Sequence, residues 1–323
     1  AVAFSIVNAD LIVDYCGRIP TPALSLWGFK NKTPSIMVTA SHNPYGQNGV
    51  KFIRPNGEVM KDEEGEILDE IAKIREEEYR KSWEESMFTR EGFFKKSFEL
   101  NSRIQFNYYL AKNLVIIFNN NAKEYYVERY VKAFGRVLEG VKIVFYEQTC
   151  VGRDIIPFVL SELGAEVTRV GRVDETKEFV PVDTEDMKPI ILERMAGFAL
   201  ENNCQVCITA DGDSDRPAVL YLKRGADGKW LYKNGKLQYK FIKGDMLNVL
   251  VSLFIKPDLV AVAIHVDYEA YNVLIKNGIN VKITRVGSAH VIKSFMDKSK
   301  ENPNLKMYGF EANGGGILFS NSS

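Results

Sequence analysis

Three aspartates alternate with other residues in Asp211-Gly212-Asp213-Ser214-Asp215, directly after an apolar run that ends at Ala210. Three carboxylates this close repel one another unless a cation joins them, and a hard divalent ion with oxygen ligands meets that need. The calcium-loop pattern fails, because its sixth position requires Gly and holds Arg216, while its twelfth requires Glu and holds Leu222. The segment therefore predicts a Mg²⁺ site, and the open alternative is a solvated acidic turn.

A second candidate cluster follows the apolar run 35–38, where the chain continues through Ser41, His42 and then Lys51. In α/β proteins reactive groups lie at strand ends, so Ser41 is a candidate nucleophile or phosphate carrier, with a turn or cap hydroxyl as the alternative. His42 and Lys51 can move protons or bind phosphate, although a lone lysine is more often surface charge. Arg216, beside a metal, can hold a phosphate through paired hydrogen bonds. These residues together indicate phosphoryl transfer.

A third segment, 309–316, places Glu311 and Asn313 in a glycine-rich stretch near the end of the sequence. Glycines let the backbone approach a ligand closely, and a carboxylate with an amide suits sugar hydroxyls. Simple flexibility is the alternative reading.

Composition excludes several functional classes. Lys plus Arg and Asp plus Glu both number 42 among 323 residues, so no net charge favours nucleic acid or an anionic membrane as partner. No apolar run approaches membrane-spanning length, and we expect a cytoplasmic protein. Four cysteines are too few for a disulfide scaffold. Cys204 and Cys207 match CxxC, but they lie in a predicted strand, where positions three apart face opposite sides, which argues against a redox pair.

Apolar runs alternate with helical spacings along the chain, which predicts an α/β fold with parallel sheets and right-handed crossovers. The first residues, 1–13, indicate strand and loop, and 83–121 indicate a linker and the entrance to a second domain. Predicted strands lie at 35–38, 51–53, 141–145, 165–167, 204–210, 219–222, 259–264 and 281–284, with a hairpin at 225–235. Predicted helices lie at 21–27, within 61–85, and at 125–134, 154–163, 187–201, 244–254, 268–276 and 288–296.

The three loops in this order resemble those of the α-D-phosphohexomutase superfamily, in its phosphomannomutase/phosphoglucomutase branch. Residues 39–44 with 48–51 look like the family's phosphoserine loop and downstream lysine, 211–216 are similar to its magnesium loop, and 309–315 resemble its sugar-recognition loop. The family usually has Ser where this chain has Asn313. Residues 17–23 fit a further family motif.

The resemblance implies a mechanism and the residues that carry it. Phosphorylated Ser41 would give its phosphate to a hexose phosphate, and the resulting 1,6-bisphosphate would return its other phosphate to Ser41. Mg²⁺ would be held by a phosphoserine oxygen and the three aspartates, with Lys51 and His42 in acid/base roles and Arg216 steadying the phosphoryl group. Glu311 and Asn313 would bind sugar hydroxyls. Gly287 and Ser288 lie where the family has another substrate-binding loop, with a poorer match.

The resemblance also implies consecutive mixed-sheet α/β domains. We expect three: a partial first domain with the phosphoserine loop (1–95), a second with the metal loop (96–235) and a third with the sugar loop (236–323). Family members usually have more of the first domain and a fourth, phosphate-binding domain, so we expect a chain truncated at both ends and impaired as a mutase.

The function predicted is that of a phosphomannomutase interconverting mannose 1-phosphate and mannose 6-phosphate. Glucose phosphates are an alternative substrate, and the sugar loop resembles these branches more than the glucosamine branch. Two other functions are alternatives. One is a metal-dependent phosphatase acting through Ser41, and the other is a sugar-phosphate-binding remnant without mutase activity. The oligomeric state is not predicted.

Overall fold

The structure is a computed structural model that describes residues 2–9, 11–41, 43, 46–86, 88–91, 95 and 119–319. Its helices are α1 (Val2–Asn8), α2 (Thr21–Asn31), α3 (Glu64–Arg80), α4 (Asn121–Phe134), α5 (Ile156–Glu162), α6 (Pro189–Glu201), α7 (Gly244–Ile255), α8 (Tyr268–Lys276) and α9 (Ser288–Glu301). Its strands are β1 (Ser35–Thr39), β2 (Gly49–Arg54), β3 (Gly57–Glu58), β4 (Lys142–Gln148), β5 (Glu166–Arg172), β6 (Val206–Ala210), β7 (Pro217–Leu222), β8 (Tyr232–Lys233), β9 (Lys236–Leu237), β10 (Tyr239–Ile242), β11 (Leu259–Ala263), β12 (Asn280–Thr284), β13 (Met307–Phe310) and β14 (Gly316–Phe319).

The chain divides into two compact units, one formed by 1–17 with 59–124 and the other by 18–58 with 125–323. The first unit contains α1 and α3. Helix α3 confirms the amphipathic helix predicted within 61–85, and acidic residues in its first turn favour its N-terminal end. The prediction of strand and loop at the start was wrong, because α1 forms there. Val and Ile prefer strands only weakly, and α1 contains no Gly or Pro to oppose a helix.

Among the described residues, the second unit carries three sheets of three or more strands besides the two-stranded β8-β9, and the first of the three, β1-β2-β3, is antiparallel. Helix α2 precedes it and begins at Thr21-Pro22, since proline fits the first helical turn. A Cβ on Gly28 of α2 would lie 2.3 Å from the Ser35 hydroxyl oxygen at the start of β1, so only glycine permits this close approach. The chain then leaves β1 toward Ser41 and returns along β2 through Lys51.

The central sheet has the order β10-β7-β6-β4-β5, in which β5, β4 and β6 are parallel and β7 pairs antiparallel with both of its neighbours, β6 and β10. Strand β10 was not predicted. The core between this sheet and α6 consists of buried side chains: Val144, Tyr146, Val180, Val182, Ile191, Met195, Ala196, Ala199, Cys204, Cys207, Leu220 and Leu222. Parallel pairing brings the carboxyl ends of β4 and β6 to the same edge, so the turns that follow them are neighbours.

The third sheet has the order β12-β11-β13-β14, with β14 antiparallel to the rest. Strand β11 is buried along its whole length, as a central parallel strand requires. Helix α8 is capped by Asp267, whose carboxylate accepts from the Glu269 amide at 2.9 Å. Strand β13 leads directly into Glu311.

These mixed sheets with intervening helices confirm the predicted α/β class. The division into domains at 1–95, 96–235 and 236–323 stays a prediction. Most of the linker predicted at 83–121 lies outside the described residues. Within the described part of the chain, no helix combines the length and the apolar character that crossing a bilayer demands.

Candidate active site

The loop of three aspartates connects β6 to β7 and lies at the carboxyl edge of the central sheet. Ala210 pairs with Pro217, and the Asp211 amide donates to the Arg216 carbonyl at 3.1 Å, which closes the loop. Asp211 is 0% and Asp213 1% exposed, whereas the Asp215 side chain is partly open to solvent. Two carboxylates are therefore withdrawn from water and need compensation from their surroundings.

Ser41 meets this loop directly. Its hydroxyl donates to Asp211 Oδ2 at 2.9 Å, and its own amide donates to Thr39 Oγ1 at 2.8 Å. The backbone of Ser41 has φ 51°, a left-handed conformation that is costly for residues other than glycine and concentrates at functional sites. A Cβ on Gly212 would lie 2.3 Å from the Ser41 carbonyl oxygen, so glycine is required for this contact between the two loops.

Lys51 supplies positive charge to the other two aspartates. Its Nζ lies 2.7 Å from Asp213 Oδ2 and 3.0 Å from Asp215 Oδ2. Thr21, at the start of α2, donates its hydroxyl to the same Asp213 oxygen at 2.7 Å and its amide to the Asp213 carbonyl at 3.0 Å. Asp213 is thus held from α2 and from β2 together.

The pKa values of the two buried carboxylates, Asp211 and Asp213, shift in opposite directions. Burial, with the charges of Asp215 and Asp213, raises the pKa of Asp211 to about 8. Burial also acts to raise the pKa of Asp213, but the Lys51 ammonium outweighs it and the pKa is lowered. The pKa of Lys51 is raised, because the two carboxylates outweigh the effect of its burial. Neighbouring cations therefore stabilise the charged form of Asp213 more than that of Asp211.

The donor set fits a hard divalent cation. One carboxylate oxygen from each aspartate lies within 4.8 Å of the others. Oδ1 of Asp213 and Oδ1 of Asp215 are buried, and neither has a hydrogen-bond partner within the part of the chain that the structure describes. A buried carboxylate oxygen that receives no hydrogen bond costs folding free energy. Carboxylate oxygens are also the ligands that Mg²⁺ prefers.

Arg216 borders the same cluster. Its Nε lies 3.7 Å from Asp215 Oδ1 and 3.9 Å from Asp211 Oδ2, and its amide donates to Asp211 Oδ1 at 3.2 Å. The guanidinium therefore adds a second cation beside the carboxylates, in a position suited to a phosphoryl group held there.

The glycine-rich segment after β13 lies against the aspartate loop. A Cβ on Gly315 would lie 3.7 Å from the Asp215 carbonyl oxygen. Asn313 is buried, and its Oδ1 accepts from the Gly315 amide at 2.9 Å while its carbonyl accepts from Thr184 at 2.5 Å. Glu311 is half-buried, and its Oε2 lies 3.5 Å from Asn313 Nδ2. The carboxylate and the amide are thus held as neighbours.

The turn before α9 joins this group. Gly287 donates its amide to Glu311 Oε1 at 2.7 Å, and the Ser288 hydroxyl donates to Glu58 Oε2 at 2.6 Å. Glu58 lies in β3, on the hairpin that also carries Lys51 in β2. Hydrogen bonds therefore link the hairpin with the turn, and the turn with Glu311.

The structure places the predicted residues in two adjoining groups: Ser41, Lys51, Asp211, Asp213, Asp215 and Arg216 in one, and Gly287, Ser288, Glu311 and Asn313 in the other. His42 lies outside the described residues. Sequence reasoning gave no role to Thr21, Glu58 or His265, whose Nε2 accepts from the Ala312 amide at 3.4 Å. Only Thr21 had a signal, since it belongs to the motif at 17–23.

Comparison with known proteins finds a matching family and relatives along nearly the whole chain. The family "Phosphoglucomutase/phosphomannomutase, alpha/beta/alpha domain I" matches residues 1–78. A phosphomannomutase of Salmonella muenchen is 31% identical over 326 aligned residues, covering 99% of this chain and 55% of that protein. A phosphomannomutase of Sinorhizobium fredii is 29% identical, covering 99% of this chain and 57% of that protein.

Solved structures share the fold. A phosphoglucomutase/phosphomannomutase family protein of Burkholderia thailandensis has a TM-score of 0.63 at 16% identity, covering 99% of this chain and 60% of that chain. The N-acetylphosphoglucosamine mutase of Aspergillus fumigatus, solved with GlcNAc-6P and magnesium, has a TM-score of 0.51 at 17% identity, covering 99% of this chain and 72% of that chain.

The chain belongs to the α-D-phosphohexomutase superfamily, as the matched first domain and the similarity along its whole length show. It spans about half the length of the curated phosphomannomutases it matches.

Proposed function

We propose that the protein acts as a phosphohexomutase on mannose phosphates, through a phosphoserine at position 41. The observation that carries this proposal is the hydrogen bond from Ser41 Oγ to Asp211. Asp211 belongs to a carboxylate cluster in which two buried oxygens receive no hydrogen bond from the described residues. That arrangement suits a hydroxyl that exchanges a phosphoryl group beside a divalent cation. Mannose phosphate is preferred because the two relatives described above are phosphomannomutases, with glucose phosphate as the alternative.

In the first half-reaction a sugar hydroxyl attacks the phosphorus of phosphorylated Ser41, and the bond from that phosphorus to Ser41 Oγ breaks. The product is a hexose 1,6-bisphosphate. In the second half-reaction Ser41 Oγ attacks the phosphorus at the other end of the turned sugar, which restores the phosphoserine and releases the isomer. No net phosphate is lost.

The chain's own residues have separate roles in these steps. Asp211, Asp213 and Asp215, with a phosphoserine oxygen, would hold Mg²⁺, which when bound neutralises charge on the transferring group. Lys51, whose ammonium is shared between two carboxylates, and His42 would hold or release the proton of the sugar hydroxyl. Arg216 would steady the phosphoryl oxygens.

Glu311 and Asn313 would bind sugar hydroxyls, with Gly287 and Ser288 at the border of the same surface. A carboxylate beside an amide offers both acceptors and a donor, so it accommodates a sugar in either orientation. This is what a mutase that turns its intermediate requires.

Intact mass spectrometry before and after phosphatase treatment tests the covalent state. We expect the untreated protein to carry one removable phosphoryl group, and Ser41→Ala to carry none. Ser299→Ala, which removes an exposed hydroxyl on α9, should behave like the wild type. A folded wild-type protein that takes no phosphate from glucose 1,6-bisphosphate would overturn the phosphoserine mechanism.

Incubation with mannose 1-phosphate separates the competing functions. A mutase yields mannose 6-phosphate without free phosphate, whereas a phosphatase releases phosphate. If the protein only binds sugar phosphates, the wild type and Ser41→Ala should bind mannose 6-phosphate with equal affinity. Neither should convert mannose 1-phosphate.

A further inference from the structure

The last residue of β4 and the turn that follows it, together residues 148–152, contact the aspartate loop at every second residue. Gln148 Nε2 donates to the Ala210 carbonyl at 2.6 Å, the Val151 amide to the Gly212 carbonyl at 2.9 Å and the Gly152 amide to Ser214 Oγ at 2.9 Å. Each acceptor belongs to a residue that precedes or separates the aspartates. None of the three bonds uses a carboxylate oxygen, so this turn supports the loop without occupying its metal-binding atoms.

Gln148 is the buried element of this support. It is 0% exposed, and its amide nitrogen also approaches Thr209 Oγ1 at 3.3 Å, while its Oε1 accepts from the Thr149 amide at 2.5 Å. Thr209 in turn donates its hydroxyl to the Tyr146 carbonyl at 2.7 Å. A side-chain amide bonded at both ends is fixed in one orientation, which makes it a rigid spacer between β4 and β6.

The backbone around Gln148 is itself constrained. Its φ is 30°, outside the usual regions for a residue with a side chain, and such conformations persist only where neighbours enforce them. Arg153 Nη1 donates to the Gln148 carbonyl at 3.0 Å, and Thr149 Oγ1 accepts from the Val180 amide at 3.1 Å. A Cβ on Gly152 would lie 2.7 Å from Ser214 Oγ, so glycine is required at that contact.

We propose that Gln148 is a positioning residue that sets the spacing of the aspartate loop for a divalent cation. The inference rests on the proposed function, because that function requires a divalent cation at the aspartate loop. Mg²⁺ demands near-ideal octahedral geometry, and the three carboxylates repel one another, so the loop backbone must be held by bonds other than those to the ion. Gln148 holds the carbonyl immediately before the first aspartate.

Mn²⁺ binding, followed by the electron paramagnetic resonance of the free ion, tests this without an activity assay. Gln148→Met keeps the length of the side chain and removes its hydrogen bonds, and we expect the dissociation constant to rise about tenfold or more, as for other groups that support metal ligands. Gln205→Met is the matched control. Gln205 precedes the other end of β6 and donates its side-chain amide to the Leu222 carbonyl at 3.3 Å, far along the strand from the loop.

The outcomes separate this inference from the proposed function. A wild-type protein that binds no Mn²⁺ removes the metal from the proposed mechanism, and with it this role. If the wild type binds Mn²⁺ and folded Gln148→Met binds it equally well, the positioning role of Gln148 is overturned and the proposed function is not. If Gln148→Met does not fold, Thr209→Val removes one acceptor of the Gln148 amide at nearly constant shape. Weaker Mn²⁺ binding by folded Thr209→Val supports the role, and unchanged binding overturns it.

Discussion

The Ser41 hydroxyl donates to Asp211 Oδ2 at 2.9 Å, although 170 positions separate the two residues in the sequence. The contact joins the loop after β1 to the loop after β6, so a phosphate on Ser41 would enter the carboxylate cluster directly. Phosphate and carboxylates repel each other unless cations lie between them. Lys51, Arg216 and a divalent ion are the groups that can supply that charge.

Removal of Lys51 should therefore affect the metal-free protein most. Lys51→Met leaves buried Asp213 without its cation, and we expect a loss of about 1–2 kcal/mol, below the 3–5 kcal/mol typical of a fully buried pair since Lys51 is partly exposed. Mg²⁺ should reduce this loss by replacing the missing charge. Thermal unfolding in EDTA and in Mg²⁺ measures both effects.

Lys61→Met is the control for that experiment, because Lys61 pairs with Glu64 on the surface at 2.7 Å. We expect it to change stability by less than about 0.5 kcal/mol in either buffer. An equal loss for Lys51→Met with and without Mg²⁺ contradicts the view that Lys51 and a divalent ion neutralise the same carboxylates.

Gly212 tests the contact between the two loops from its backbone side. Gly212→Ala would place a Cβ 2.3 Å from the Ser41 carbonyl oxygen, so one loop must move. We expect phosphorylation of Ser41 to fall at least about tenfold, since misplacement of about 1 Å is costly in catalysis. The initial rate of phosphate uptake from glucose 1,6-bisphosphate measures this.

Gly197→Ala is the matched substitution, because a Cβ on Gly197, within α6, would meet no atom within 4 Å apart from its chain neighbours and the backbone of its own helix. Alanine favours a helix over glycine, so we expect a gain of about 0.5–1 kcal/mol and unchanged phosphorylation. Equal phosphorylation rates for the two alanine variants would show that the close approach of the loops is dispensable.

Glu311 should act on the sugar and not on the metal. Glu311→Ala removes the acceptor of the Gly287 amide and the neighbour of Asn313, and we expect kcat/KM for mannose 1-phosphate to fall about a hundredfold. Mn²⁺ affinity should stay as in the wild type, and Glu301→Ala, on the exposed end of α9, should change neither quantity. Weakened Mn²⁺ binding by Glu311→Ala would place this residue in the metal site instead.

Much of the fold was accessible from the sequence, because apolar runs and helical spacings are local signals. Strand β1, helix α4 and the loop of three aspartates all follow from neighbouring residues. Helix α1 was predicted as strand and loop, because the β preference of Val and Ile depends on tertiary context that the sequence alone does not display. Strand β10 has four residues and gains its definition from pairing with β7.

The parts of the site that sequence reasoning missed depend on distant partners. Glu58 meets Ser288 across 230 positions, and Thr21 meets Asp213 across 192. Gln148 also gave no signal, because its role arises only when β4 and β6 pair in parallel. Residue type and local spacing identify groups that carry charge, but the groups that orient them are ordinary residues until the chain folds.

Glu175 gives the protein an acid-sensitive ion pair. Hydrogen bonding to Arg153 lowers the pKa of Glu175 from 4.5 to about 2, with a smaller contribution from Arg18. Because the folded-state pKa lies below the unfolded one, the stabilisation is present above pH 4.5 and is lost as the pH falls toward 2. The pair is partly exposed, so we expect at most about 1 kcal/mol.

Urea unfolding of the wild type and of Glu175→Gln at several pH values between 3 and 7 checks this. The difference in unfolding free energy should be largest at pH 7 and shrink toward pH 3. Glu178→Gln, an exposed position on the same loop, should show no such trend. A difference that stays constant with pH would mean that the charge of Glu175 is not what stabilises the fold.

The cysteines should be inert in the native protein. All four are buried free thiols, and burial raises the pKa of Cys150 to about 11 and of Cys207 to about 12. Cys204 donates its thiol to the Lys142 carbonyl at 2.9 Å, and neither Cys204 nor Cys207 forms a disulfide. Since the thiolate is the reactive form, we expect Ellman's reagent to react at least about a hundredfold more slowly with native than with urea-unfolded protein, where four thiols should titrate. Rapid loss of two native thiols, prevented by Cys204→Ala, would instead establish the CxxC pair as redox-active.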